Sequence, residues 1–395
     1  MTSTTPVAAR TLLLYAQDHK GMGHITRTLT IARHLLAACP GGVAYVVTES
    51  PVVGDFRLPD RCDYVKLPAT LSDAASDGRL RQLRARLLRD TALGLAPDLV
   101  LVDHEPLGHK GEFTEGLWAL RAQNPRTRFV FGLRGIMDDA DRIRAQWQEL
   151  GAYVAFQELY DGIAVYGSPA LFDVAAAYAL PDAVQSKLRY CGYVVREPPA
   201  VDAAAVRASY GLPPEGGPLV LATVGSGSDG YPVLEAARRA VERLQRSFPD
   251  LLAILVTGPF MPAHQQTLLG ASATPRCRVV SRADNYQLMA AADAVVSMGG
   301  YNSVCEALAL ARPLVIVPRV THKVEQRIRA EALAAHELAR WVHPTGLAGE
   351  ALADALEWAL RRDRRDHAQR VHAVIPSFDG AAQLTDYLSP WLGRD

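Results

Sequence analysis

The chain has 395 residues, 49% of them hydrophobic, and its 42 basic side chains balance its 42 acidic ones. At roughly 150 residues per domain this length suggests two domains, and the neutral balance argues against global attraction to nucleic acid or to an anionic membrane. Cys39, Cys62, Cys191, Cys277 and Cys305 are odd in number and lack CxxC spacing, so they read as free thiols in a reducing cytoplasm and not as a disulfide frame or a zinc site.

In chain order, apolar runs at 11–16, 43–48, 98–103, 128–135 and 162–167 predict strands, with helical patterns at 25–38, 79–93 and 113–123 between them. The scheme repeats with strands predicted at 218–225, 251–258, 277–282, 294–299 and 313–319, and helices at 231–247, 302–311, 325–336 and 347–362. Such alternation predicts βαβ units and parallel sheets covered on both faces. Between the halves, VVREPPAVD (194–202) holds a double proline that continues neither strand nor helix. The expectation is two doubly wound α/β domains facing across a cleft, 1–196 and 197–376, with ligands at the carboxyl ends of their strands. An amphipathic segment in 377–395 is expected to return to the first domain. The N-terminus, MTSTTPVAARTLLLYA, lacks an export signal, and no window approaches the roughly 20 apolar residues of a membrane span. A cytoplasmic location with no transmembrane segment follows as an expectation.

The strand at 11–16 runs into AQDHKGMGHITRTLT, where Gly21, Met22 and Gly23 form a turn before a helix that opens at His24 or Ile25. A helix N-terminus disfavours the charged imidazole and keeps the ring able to take a proton. His24 is therefore a candidate base, against the alternative of a histidine that caps or packs. The strand at 98–103 ends in Asp103-His104-Glu105. Asp103 there orients His24 through its second ring nitrogen, binds acceptor hydroxyls, or caps the following loop. Arg134 lies at the end of the next strand, placed for a phosphate or, more simply, for Asp138 or Asp139. DDAD (138–141) contains a DxD pattern but reads as a helix start, so no metal is expected. The arginine-rich stretch at 77–90 reads as a helix with Leu80, Leu83 and Leu87 toward the core and its arginines in solvent. Docking of Arg79 and Arg86 on an anionic lipid or a phosphorylated acceptor is the alternative.

Two glycine turns follow strands in the second half. GSGSDG (225–230) offers Gly225, Ser226 and Gly227 as a wrap for a diphosphate. The stretch SMGGYNSVCEALALARPLVIVPR (297–319) places Gly299 and Gly300 between a strand and a helix beginning near Asn302 and Ser303. A strand, a glycine turn and a helix N-terminus present free N–H groups and a positive end to an anion. Glu306 just beyond suits a ribose diol, or, as Ser303-x-x-Glu306, an ordinary capping box. Neither turn is a P-loop or a GxGxxG, which disfavours nicotinamide and flavin cofactors.

GMGHITR, GSGSDG, the 297–319 stretch and THKVEQRIRA together resemble the GT-B glycosyltransferases, most of all the branch with the peptidoglycan lipid-II-forming N-acetylglucosaminyltransferases and related natural-product glycosyltransferases. The resemblance implies metal-independent, cofactor-free transfer of a sugar from a nucleoside diphosphate donor, UDP- or dTDP-linked, with inversion. The donor is held by the C-terminal domain and a small-molecule or lipid-linked acceptor by the N-terminal one. It implies Glu306 at the ribose, Gly225 to Gly227 at the diphosphate, and Glu325 and Gln326 at the donor sugar. His24 becomes base or acceptor-site residue, Asp103 its dyad partner, and Gly23, His104 and Arg134 acceptor-side residues. The first loop is less glycine-rich than in the lipid-II-forming enzymes, which points away from a peptidoglycan acceptor. A monomer or homodimer with no nucleic-acid partner is expected. A nucleotide-sugar 2-epimerase of the same architecture and a non-catalytic nucleotide-sugar binder remain as alternatives.

Overall fold

The computed structural model describes residues 10–17, 23–69, 77–321 and 324–393. They form two compact units: the chain up to Val194 together with the segment from Asp379 onward, and Val195–Phe378.

The first unit is built on a parallel sheet of β1 (Thr11–Ala16), β2 (Val43–Thr48), β3 (Cys62–Lys66), β4 (Leu99–Asp103), β5 (Arg128–Leu133), β6 (Gly162–Val165) and β7 (Leu188–Tyr190), in the order β3-β2-β1-β4-β5-β6-β7. The inner strands read as unbroken apolar runs because both faces are covered: all five residues of β4 are buried. The helix α1 (Gly23–Ala38) buries Ile25, Ile31 and Leu35, while the core that holds Leu13, Val100, Phe129, Phe131, Trp147 and Phe156 is closed over by helices that include α2 (Asp77–Leu95), α3 (Thr114–Gln123) and α4 (Ala140–Glu149). The helix Gly380–Leu388 buries Leu384 and Leu388 and packs on α1, and Val194 bridges Asp379 where the chain re-enters this unit.

The second unit repeats the plan with β8 (Leu219–Thr223), β9 (Leu252–Val256), β10 (Cys277–Val280), β11 (Ala294–Ser297), β12 (Leu314–Ile316) and β13 (Ala339–Trp341), ordered β10-β9-β8-β11-β12-β13. Leu234, Ala237 and Val241 of the helix Tyr231–Leu244 face its core.

In each sheet the strand order reverses once, between β1 and β4 and between β8 and β11. In doubly wound sheets the loops leaving the two central strands diverge at such a reversal, which is where these sheets bind ligands.

Sequence periodicity overlooks β3, β7 and β13, which are short edge strands with half-exposed residues and little apolar signal. One helix face is corrected. Leu87 packs half-buried against the core as expected, but Leu83 is exposed at 47%, and the buried stripe of α2 runs through Arg84, Leu88 and Ala92. Arg84 belongs inside because two buried carboxylates meet it there. It donates to Glu112 through Nε (2.6 Å) and Nη2 (2.8 Å) and to Glu49 through Nη1, while the Tyr15 hydroxyl donates to Glu112 at 2.9 Å.

Candidate active site

At the first switch point Ala16 of β1 lies beside Asp103 of β4. Asp103 is 1% exposed. His24, second residue of α1, brings Nδ1 to 2.7 Å from Asp103 Oδ2. Arg27 donates to the same carboxylate, Nε to Oδ1 at 3.0 Å and Nη2 to Oδ2 at 2.6 Å. His24 and Arg27 reach one partner because positions three apart share a helix face. Burial works to raise the Asp103 carboxyl, but the charge of Arg27 and the hydrogen bonds from His24 and Arg27 outweigh it and bring it down to about 2. An ionised Asp103 selects the imidazole tautomer with the proton on Nδ1, which puts the lone pair of a neutral ring on Nε2. Arg27 Nη2 also stands 2.9 Å from Nδ1. A guanidinium offers no acceptor, so the proton of Nδ1 goes to Asp103.

The His104 ring stands 4.6 Å from that of His24, centroid to centroid, on a backbone with φ of 72°. Gly23 opens α1; Gly21 and Met22 lie outside the described residues. Arg134 donates to the Met137 carbonyl at 3.3 Å, Asp138 accepts from Arg142, and Asp139 caps α4, so the DxD pattern serves a helix start. Among the described residues no group of His, Cys, Asp and Glu is placed to hold a metal ion, and no helix is long and apolar enough to cross a membrane.

The second switch point joins the loops after β8 and β11. Gly227 has φ of 92°, and a Cβ there would lie 1.9 Å from the Thr257 carbonyl oxygen, so the 225–227 turn is wedged against the loop after β9. Gly299 has φ of 81° and would bring a Cβ to 2.9 Å from Ile316. Gly300 differs: its φ is −60° and a Cβ would meet nothing within 4 Å, so the fold does not require glycine at this helix start. The helix Tyr301–Ala309 has no side-chain cap; Asn302 and Ser303 lie in its first turn and Glu306 in its second. That placement sets the capping-box reading aside, since the carboxylate of a capping box belongs at the third helical position. Glu306, 8% exposed, instead accepts from Arg196 through Nε (3.0 Å) and Nη2 (2.9 Å). Burial raises its carboxyl above the ordinary value while Arg196 pulls it back.

Buried Gln326, in the helix Glu325–Ala335, accepts from the Arg319 backbone N–H at 3.0 Å, and Glu325 opens that helix half-buried. Arg329 of the same helix donates to the Gly299 carbonyl at 2.5 Å. His322 and Lys323 of the THKVEQRIRA motif lie outside the described residues. Sequence reasoning missed Arg27, Arg196, Arg319 and Arg329. Only Arg27 carried a signal, its i+3 spacing from His24.

Residues 220–383 match the glycosyltransferase family 28 C-terminal domain. Among solved structures, the glycotransferase of kitacinnamycin aligns with a TM-score of 0.67 at 16% identity, over 97% of this chain and 99% of that one. Phytolacca americana UGT2, complexed with UDP-2-fluoro-glucose and pterostilbene, aligns with a TM-score of 0.65 at 13% identity, over 97% and 100%. Fold and C-terminal domain are those of a GT-B glycosyltransferase. An uncharacterised glycosyltransferase of Methanopyrus kandleri is 27% identical over 157 residues, 40% of this chain, so the match spans only 42% of that relative's length. The structural likeness establishes the GT-B architecture. Within it, the His24–Asp103 pair and the Gly299–Gly300 turn each stand at the switch point of one sheet.

Proposed function

We propose that the chain transfers a sugar from a UDP- or dTDP-linked donor to a hydroxyl of a small-molecule acceptor, with inversion and without a metal. The observation that carries this reading is the buried Asp103 carboxylate at 2.7 Å from His24 Nδ1. Fixing one imidazole tautomer serves proton abstraction, and nucleotide binding alone has no use for it.

In this reading the acceptor oxygen bonds to the anomeric carbon as the bond from that carbon to the diphosphate oxygen breaks. The acceptor proton passes to His24 Nε2, and the bonding pair leaves with the diphosphate. Attack opposite the leaving group inverts the centre through an oxocarbenium-like transition state. The N–H groups of the Gly299–Gly300 turn, the 301–309 helix end and the Gly225–Gly227 turn take up the charge that grows on the diphosphate. Glu306 accepts from the ribose diol, with Asn302 and Ser303 beside it, and Glu325 and Gln326 bind the donor sugar. Gly23, His104 and Arg134 belong to the acceptor side. The UDP-sugar analogue and phenolic compound in the plant structure, and the kitacinnamycin enzyme's name, support this choice of donor and acceptor class.

The test incubates the protein with UDP- and dTDP-sugars, with and without a panel of phenolic and polyketide hydroxyl compounds. Diphosphate release that requires an acceptor supports transfer. A new nucleotide sugar formed without acceptor identifies an epimerase instead, and tight binding with no product identifies a sensor.

A further inference from the structure

The second unit carries an exposed ion pair that links two of its catalytic-edge loops. Arg319 donates to Asp229 through Nε, 2.5 Å from Oδ2, and through Nη2, 2.7 Å from Oδ1. Asp229 belongs to the GSGSDG loop after β8, Arg319 to the segment after β12, and β11 lies between those strands. The pair therefore ties together the exits that flank the Gly299–Gly300 turn. The backbone N–H of the same arginine donates to Gln326 at 3.0 Å. One residue thus touches both the diphosphate loop and the side chain assigned to the donor sugar.

The two side chains are 38% and 47% exposed, and an ion pair in that setting adds little to folding. The charges point to a ligand. Asp229 is the only ionised side chain within 225–230, and a lone carboxylate in a loop that wraps a diphosphate repels it. A guanidinium beside that carboxylate removes the conflict. Its planar fork also fits two phosphate oxygens in the geometry in which it now holds two carboxylate oxygens.

Resting on the donor reading above, we propose that Arg319 is a diphosphate-binding residue, held in place by Asp229 in the nucleotide-free protein and engaged by the donor's phosphates on binding. Asp229 neutralises that guanidinium until the ligand arrives and competes with the ligand for it.

Calorimetry with UDP and dTDP, and with uridine and thymidine in parallel, tests this on wild type, Arg319→Gln, Arg319→Lys and Asp229→Asn, with thermal unfolding as the check on folding. Arg319→Gln is expected to weaken the diphosphates about tenfold or more and leave the nucleosides unchanged. Arg319→Lys keeps part of the affinity as a point charge. Asp229→Asn is expected to bind the diphosphates as tightly as wild type or a few-fold more tightly. If the pair were only a strap between loops, Asp229→Asn would lose affinity in step with Arg319→Gln, and that result overturns the proposal. So does a wild-type affinity for UDP that Arg319→Gln leaves untouched, with the donor reading still standing. Failure of wild type to bind any nucleoside diphosphate removes the donor reading and this proposal together.

Discussion

Arg27 holds Asp103 by two hydrogen bonds, at 3.0 and 2.6 Å, with both side chains buried. This pair sets the state of His24. The guanidinium keeps the carboxylate ionised, and the carboxylate keeps the imidazole proton on Nδ1. Replacing Arg27 with methionine leaves a buried carboxylate without its counter-charge. Urea unfolding should show a loss of roughly 3 kcal/mol or more. In protein that still folds, the Asp103 carboxyl should rise from about 2, bringing the acid limb of kcat to higher pH. An unchanged midpoint and an unchanged acid limb would show that Asp103 does not depend on Arg27.

Asp103→Asn removes the charge that stabilises a protonated His24. We expect kcat to fall by about a hundredfold or more and KM for the donor to change little. A fall in donor affinity with kcat retained would reassign Asp103 to binding.

Glu306 is predicted to give donor binding an acid limb. Its carboxyl lies above the ordinary value because burial disfavours the charge more than Arg196 restores it. Only the ionised form accepts from both ribose hydroxyls, so affinity should be full above that raised pKa and fall as pH drops through it. A UDP-sugar is the right probe, because the terminal phosphate of UDP itself titrates near pH ~6. Glu306→Gln should bind roughly tenfold more weakly and lose the acid limb. Persistence of the same limb in the variant would contradict the assignment.

His367 offers a separate test on stability. Its ring is fully buried, and its two nitrogens have no hydrogen-bond partner among the described residues. Burial first, then repulsion from Arg362 and Arg370, takes its pKa from 6.5 down to about 4. The unfolded chain therefore binds this proton before the folded protein does. Stability should be full above pH 6.5, decline as pH falls toward about 4, and by then be lower by roughly 3 kcal/mol. His367→Leu should flatten that part of the profile in denaturant titrations, and an unaltered slope would show that the decline originates elsewhere.

The doubly wound layers were legible because inner strands such as β1 and β4 are apolar along their whole length and alternate with helical periods. The edge strands β3 and β13 were not, since a strand with one open side keeps polar residues such as Asp63 and Arg340. His24, Asp103, Gly227 and Gly299 announced themselves as chemistry-bearing or flexible residues at strand exits. Their grouping at two switch points depends on strand order, which no local pattern encodes. The arginines that hold Glu306 and Asp229 were hidden for a different reason: arginine is common in this chain, and no local pattern separates one that closes an ion pair from one left in solvent.

The most direct measurement of the central claim is turnover and donor affinity of His24→Ala, side by side with wild type, using a donor and acceptor pair that the wild-type protein converts. The account predicts kcat reduced by about a hundredfold or more with donor affinity close to wild type. Turnover at the wild-type rate would contradict it.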